Sequence, residues 1–201
     1  MRLSTDKVMR EKAKLLEAIS GQNRGLLSGE IERAAIEEAI AGLEAENPTQ
    51  RPTQRDDLLD GNWRLLYTTS QDLLNLGQFP LWTLGQIYQC IRTQTGRLYN
   101  VAEVSGLPFL EGILSVRAKI SPLSEERVSV KFDRRILALQ RAIDYRNPED
   151  FANKVEAENI GPAIDIPVND DQLNWLDTTY LDEDLRVGRG SGGSIFVLTK
   201  N

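Results

Sequence analysis

The hydrophobic pattern of this chain changes period once. Over the first 47 residues apolar positions recur at helical spacing. Asp6 to Ser20 places Val8, Leu15, Leu16 and Ile19 near one face, and Gly21 supplies a C-terminal stop. Ser28 reads as the N-cap of a second helix, with Glu30 and Glu32 favouring its positive end. Ile36, Ile40 and Leu43 then line one face before Asn47-Pro48 ends the pattern. The polar faces mix Lys, Arg and Glu, which suits packing on the main domain better than binding an anionic membrane. Residues 48–57 form a polar, Pro-containing linker.

Beyond the linker the period becomes two. Trp63, Leu65, Tyr67 and Thr69 share one face of a first strand. Strand-like runs follow at Ile87–Thr93, Leu98–Val104, Gly112–Ile120 and Arg127–Leu139, punctuated by Thr95-Gly96, Gly106-Leu107-Pro108 and Ser121-Pro122. Successive alternating strands joined by turns favour an antiparallel sandwich or barrel over a βαβ fold. Residues 144–175 break the rhythm with Asn147-Pro148, Gly161-Pro162 and Pro167. They read as a covering loop or a mobile flap over a mouth, with Phe151, Ile160, Ile164, Ile166 and Trp175 available to tuck against the sheet. The chain closes on Leu185–Arg189 and Ser194–Leu198, two short strands around a glycine-rich turn. Gly188, Gly190 and Gly193 match G-x-G-x-x-G, but a phosphate loop needs a helix after the glycines and the run here is Ile-Phe-Val-Leu-Thr. The division is therefore a helical pair over 1–47, a linker over 48–57 and a β domain over 58–201.

Composition narrows the chemistry. The chain of 201 residues has no histidine, which removes the commonest general base and metal ligand and every Ser-His or Cys-His nucleophile. No catalytic constellation, metal site or cofactor motif stands out, and the protein is read as not an enzyme. A single cysteine, Cys90, excludes an internal disulfide and reads as a small core residue. The net charge of −6 argues against nucleic acid as the main partner. That charge is uneven: residues 86–143 are basic and residues 144–184 strongly acidic, the latter without EF-hand spacing. No stretch approaches the roughly 20 apolar residues of a membrane span, and no signal or transit peptide is evident, so a cytoplasmic location is the default expectation.

Three segments together carry a family resemblance. They are Leu59-Asp60-Gly61-Asn62-Trp63-Arg64-Leu65-Leu66-Tyr67-Thr68-Thr69, then Trp175-Leu176-Asp177-Thr178-Thr179-Tyr180-Leu181, then Leu185-Arg186-Val187-Gly188-Arg189-Gly190 with Gly193-Ser194-Ile195-Phe196-Val197-Leu198. With Gly61-x-Trp63 opening the first strand, they resemble the plastid lipid-associated protein/fibrillin family, from about Leu15 to Lys200. The resemblance implies an α+β, mainly β fold: a helix pair followed by an antiparallel lipocalin-like β-barrel. It also implies a non-catalytic protein at thylakoid membranes or lipid globules, peripheral to the membrane, that binds apolar molecules or lipids of the fatty acid, carotenoid or prenylquinone class. Lacking a transit peptide, the chain departs from plastid members and reads as a cyanobacterial or trimmed one. Two alternatives stay open: a structural coat or partner-binding module with a self-filled barrel, and a bilin chromophore lyase.

Candidate ligand contacts are Arg134, Tyr67, Phe132, Val130, Trp82 and Phe109. Arg134 continues the Val128, Val130, Phe132 face, which alternation sends inward, where a fatty-acid head group could satisfy it. The competing and preferred reading is a bulge near Asp133-Arg134-Arg135 that turns Arg134 to solvent. Gly61 and Trp63 are expected to plug the closed end of the barrel, with Arg186 or Arg189 stacking across the indole. Phe79, Leu81, Trp82, Leu107, Phe109 and Leu110 are candidates for its mouth.

Overall fold

The computed structural model describes residues 2–75, 83–106, 110–169, 172 and 174–201. Two helices, α1 (Arg2–Ile19) and α2 (Glu30–Glu44), precede the β domain. Leu15, Ile36, Ile40 and Leu43 are fully buried, as their spacing requires, whereas Leu16 is 41% exposed because it falls a quarter-turn off the Leu15–Ile19 stripe. Ser28 does not cap α2. Gly29 occupies that position without a side-chain bond, and Ser28 Oγ instead donates to Gln22 Oε1 at 3.1 Å. The connection between the helices is anchored to the sheet: Thr68 N donates to Arg24 O (3.1 Å) and Arg24 Nη2 to Leu84 O (3.0 Å). At Gly25, with φ +106°, a Cβ would stand 2.4 Å from Thr68 O, so only glycine lets the two backbones meet.

Among the described residues nine strands form one antiparallel sheet: β1 (Gly61–Thr68), β2 (Thr83–Arg92), β3 (Arg97–Ser105), β4 (Gly112–Pro122), β5 (Arg127–Leu139), β6 (Ala163–Pro167), β7 (Asn174–Leu181), β8 (Leu185–Gly190) and β9 (Ile195–Lys200). Neighbour pairing runs β4-β3-β2-β1-β9-β8-β7-β5, and β4 also pairs with β5, so the sheet closes in a ring. One edge of β5 is shared. Its Arg127–Val130 half pairs with β7, and its Arg134–Ala138 half pairs with β6, which lies outside the ring. Short helical turns, Pro52–Gln54 and α3 (Asp56–Leu59), lead into β1, and α4 (Gln71–Asn75) follows it. The linker residues are bound to the sheet, Thr53 N donating to Glu125 O and Thr49 Oγ1 to Leu181 O. The expected C-terminal hairpin is β8–β9, turning at Gly193 with φ +74°.

Closure sorts the apolar residues into three layers. Trp63, Leu65, Leu98, Ala118 and Leu198 face the ring interior. A second cluster joins Tyr67, Tyr180, Val187 and Val197, on the outer face, to Leu15, Ile36, Ile40 and Leu43 of the helix pair. A third covers the opposite outer face, where Cys90, Tyr99, Ile113 and Ile136 meet Phe151, Ala152 and Val155 of α5 (Pro148–Glu156). Residues 144–175, expected as loop or flap, thus contain a helix and a strand. Phe151 tucks in fully, while Ile164 and Ile166 on β6 remain more than half exposed. Sequence signals for α5 were present: Asn147 Oδ1 accepts from Asp150 N at 2.8 Å, with Pro148 at the first helical position.

The helix pair is pinned by charge as well as by apolar area. Glu44 of α2 accepts from Arg189 Nε and Nη2 (2.8 and 2.9 Å) and from Thr179 Oγ1 (2.5 Å). Lys12 of α1 lies 2.6 Å from Asp182 and 2.5 Å from Asp184. Burial pushes the Asp182 carboxyl up, but the hydrogen bonds it shares with Asp184, Lys12 and Tyr180 outweigh burial and hold it at about 2, below the ordinary 3.8. A depressed carboxyl stabilises the fold above its unfolded-state pKa and loses that contribution as pH falls through the folded value. Stability should therefore fall between about pH 4 and pH 2. Asp182→Asn should be less stable at neutral pH, by about 1–3 kcal/mol, and flatter across that window in denaturant titrations. Equal slopes in the two proteins would remove Asp182 as the acid-sensitive contact.

Candidate functional site

Four strands of the ring carry one extra residue; that of β2 lies between Leu84 and Ile87, and those of β1, β7 and β5 each turn two consecutive side chains outward. In β1 the register against β9 shifts between Leu65 and Tyr67; in β7 it shifts against β8 between Thr178 and Tyr180. Leu65 and Thr178 face inward, while Tyr67 and Tyr180 lie under the helix pair. In β5, Arg117 of β4 pairs with Arg134 and the adjacent Ala118 with Phe132, leaving Asp133 as the inserted residue. Strict alternation would send Tyr67 and Arg134 into the interior. The β1 bulge corrects the first assignment, since Tyr67 packs against α1 and α2. The β5 bulge is the one preferred from the sequence, and it turns Arg134 away from the interior, though to Asp165 of β6 on the outer face and not to solvent, Nε to Oδ1 at 3.0 Å and Nη2 to Oδ2.

Asp133 also faces outward. Its carboxylate accepts from Arg117 Nε and Nη2 (2.8 and 3.1 Å) and from Arg97 Nη1 (2.9 Å). Burial raises its carboxyl, and the Arg117 and Arg97 guanidinium groups more than reverse that, holding it below the ordinary value. A second basic–acidic pairing ties β5 to β7, where Arg127 Nε donates to Asp177 Oδ1 at 2.6 Å and the Arg127 guanidinium lies 3.8 Å from the Trp175 ring. Within the basic stretch 86–143, Arg127 and Arg134 thus find carboxylates in the acidic stretch that follows, while Arg97 and Arg117 share Asp133 of their own stretch.

An open cavity of about 1030 Å³ runs from the ring interior out over the β5–β6 extension. Ile87 and Gln89 of β2, Asn100 and Ala102 of β3, Leu114 and Val116 of β4, Val130 and Phe132 of β5, and Phe196 of β9 contribute to its wall. Val130 and Phe132 thus both border this cavity. The wall continues onto the β5–β6 extension, where Leu137 faces Ile164 and Arg135 faces Ile166 across the strands. Leu137, Ile164 and Ile166 are all exposed there, at 36%, 57% and 54%, and form an apolar ledge. Trp82 and Phe109, together with Phe79, Leu81 and Leu107, lie outside the described residues; Leu110, beside them, is exposed.

At the other end Trp63 is fully buried, its Nε1 donating to Leu59 O at 2.8 Å. Arg186 lies across the indole at 5.3 Å and Lys200 at 5.2 Å. Gly61 opens β1 there with φ +131°, and the Cβ it lacks would stand 3.1 Å from Lys200 Cε. Arg189 takes no part. It is three residues from Arg186 on a strand, so it faces outward to Glu44. Arg186 is 1% exposed and donates to Gln89 Oε1; burial lowers its pKa to about 9, so the guanidinium stays charged at neutral pH.

Cys90 sits on the outer face of β2 beneath α5, its Sγ 3.6 Å from Pro148 O. Burial outweighs the opposing pull of Arg92 and, with a smaller push from Glu149, drives its thiol up to about 12. That disfavours the thiolate a covalent attachment needs. A maleimide should accordingly label Cys90 at least ~100-fold faster in denaturant than in the native protein; comparable rates would show an accessible thiolate.

The family model PAP_fibrillin matches residues 9–199. The chain belongs to this family. A light-induced chloroplast protein of Solanum tuberosum is 33% identical over 94% of this chain and 66% of its own length. Plastoglobulin-1 of Pisum sativum is 34% identical over 94% of this chain and 60% of its own length. A chromoplast-specific carotenoid-associated protein of Cucumis sativus is 32% identical over 98% and 70%. The chain thus spans about two thirds of the length of the curated relatives it matches. No solved structure matches it. Among the described residues no helix is long and apolar enough to cross a membrane.

Sequence reasoning missed Arg135, Gln89, Asn100, Leu114 and Val116 as wall residues. The first is recoverable from the Asp133-Arg134-Arg135 run once a bulge is granted: if two consecutive residues face out, the next faces in.

Proposed function

We propose that this protein is a non-catalytic carrier that holds an apolar or amphipathic lipid inside its strand ring, at a plastid-type lipid globule or thylakoid membrane. The observation that carries the reading is the cavity of about 1030 Å³ behind a largely apolar wall. Ligand sites are typically ~300–1,000 Å³ with a few polar groups for orientation, and Gln89 and Asn100 provide such groups here. Names in the family, plastid-lipid-associated and carotenoid-associated protein, agree with a lipid or carotenoid cargo. Apolar contact supplies affinity in proportion to the area covered, about 25 cal/mol per Å² before ordering costs.

The volume weighs against a self-filled core. The exposed ledge of Leu137, Ile164 and Ile166 supports one part of the coat reading, contact with a lipid surface, and it is continuous with the wall. Peripheral association and cargo exchange would then use the same edge. A bilin lyase needs an acid in the cavity, and the described wall residues include no Asp or Glu.

Native mass spectrometry after exposure to thylakoid lipids should reveal a stoichiometric apolar adduct. The double variant Ala102→Phe/Leu114→Trp, which crowds the wall from two adjacent strands, should fold yet lose adduct, with apolar-probe affinity lowered about tenfold (on the order of 1–3 kcal/mol of overfilling). An adduct that persists unchanged in the crowded variant would place binding elsewhere.

A further inference from the structure

The cationic side chains around the β5 bulge are unequally matched. Arg97 and Arg117 share Asp133, and Arg134 takes Asp165, all on the outer face. Arg135 is the residue the bulge returns to the inner face. It stands opposite Val116 of β4 and Ile166 of β6, and all three belong to the cavity wall. Among the described residues Arg135 has no hydrogen-bond or ion-pair partner, and it is the only charged side chain of that wall. Both carboxylates near it in the sheet are engaged on the opposite face, and β-sheet geometry keeps them there. A structural arginine would be expected to find a carboxylate, as the three beside it do. One turned to an apolar wall with its fork unused is arranged to receive an anionic group from outside the chain.

The position sets the geometry of such a ligand. Arg135 lies at the rim, exposed, where the β5–β6 ledge meets the ring, and Val130, Phe132 and Leu114 continue the wall inward. We infer that Arg135 selects a single-chain amphiphile with an anionic oxyacid head, a carboxylate or a phosphate ester, holding the head at the rim while the chain enters the ring. The inference rests on the carrier reading and sharpens it. A wholly apolar cargo gains nothing from Arg135, whereas an acid gains a charge-assisted, bidentate contact.

The test is a displacement titration of a fluorescent apolar probe by palmitate, hexadecyl phosphate and hexadecanol, on the full chain. Wild type should bind the two anions about tenfold or more tighter than the alcohol, as a hydrogen-bonded charge implies. Arg135→Gln should abolish that preference while leaving hexadecanol affinity within about twofold. Arg135→Lys should keep part of the preference, and Arg134→Gln, on the outer face, all of it. The ratio of carboxylate to phosphate affinity distinguishes the two heads, and either head above the alcohol supports the inference. Equal affinity for acid and alcohol in wild type, or a preference that survives in Arg135→Gln, overturns the role of Arg135 and leaves the carrier intact. If neither palmitate nor hexadecanol displaces the probe from wild type, the carrier reading falls, and the inference with it.

Discussion

The constraint on which this structure depends is the phase of side-chain alternation along its strands. A regular strand commits every second residue to one face for its whole length. A closed ring in this protein has more to do than fill its own interior, because two helical layers must be bound on its outer surface. The inserted residues in β1, β7 and β5 meet that demand locally. Each exchanges one unpaired backbone position for a reversal of phase, so that one strand serves the interior below the bulge and a different layer above it. Tyr67 and Tyr180 reach the helix pair this way, and Ile136 reaches α5. Placing Asp133 and Arg134 together outside and Arg135 inside is the same operation in polar residues.

The two ends of the ring are built for opposite purposes. At the Trp63 end the main groups are engaged among themselves: the indole N–H by Leu59, the indole ring by Arg186 and Lys200, and Arg186 Nη2 by Gln89, while Arg186 Nε has no partner among the described residues. Keeping a charge there is costly, as the downward pull on Arg186 shows, and a desolvated cation–π contact returns about 2 kcal/mol of it. At the Leu137 end apolar groups stay exposed and the one wall cation has no protein partner among the described residues. The Trp63 end is thus held by polar and cation–π contacts and, among the described residues, the Leu137 end by none of these. The helix pair and α5 stiffen the wall from outside without filling it.

Much was legible in the residues themselves. The single change of period located the passage from helices to strands, turn residues separated the strands, and Ile36, Ile40 and Leu43 marked the buried stripe of α2. Gly61-x-Trp63 and the terminal hairpin were strong enough, with the Trp175–Leu181 run, to indicate the family. These signals are local: side-chain spacing, glycine at turns and helix breakers act over a few residues, so a linear reading captures them. The helix α5 was legible too, in Asn147-Pro148, but proline was weighed there as a strand breaker instead of a helix starter.

What tertiary structure alone decided is which face each residue ended on and which charges met. Alternation extended through Leu66 points Tyr67 the wrong way, and at Asp133 the residues left two faces open for Arg134, because a bulge is a property of two strands in register and not of one sequence segment. The pairings Glu44–Arg189, Lys12–Asp182 and Arg134–Asp165 join residues far apart in the chain, chosen by ring closure and helix docking. Sequence determined that this is a helix pair on an antiparallel β domain with no histidine chemistry. The closed ring determined that Arg97, Arg117 and Arg134 meet carboxylates outside while Arg186 lies against Trp63 inside and Arg135 borders the cavity, because only closure distinguishes an inside from an outside.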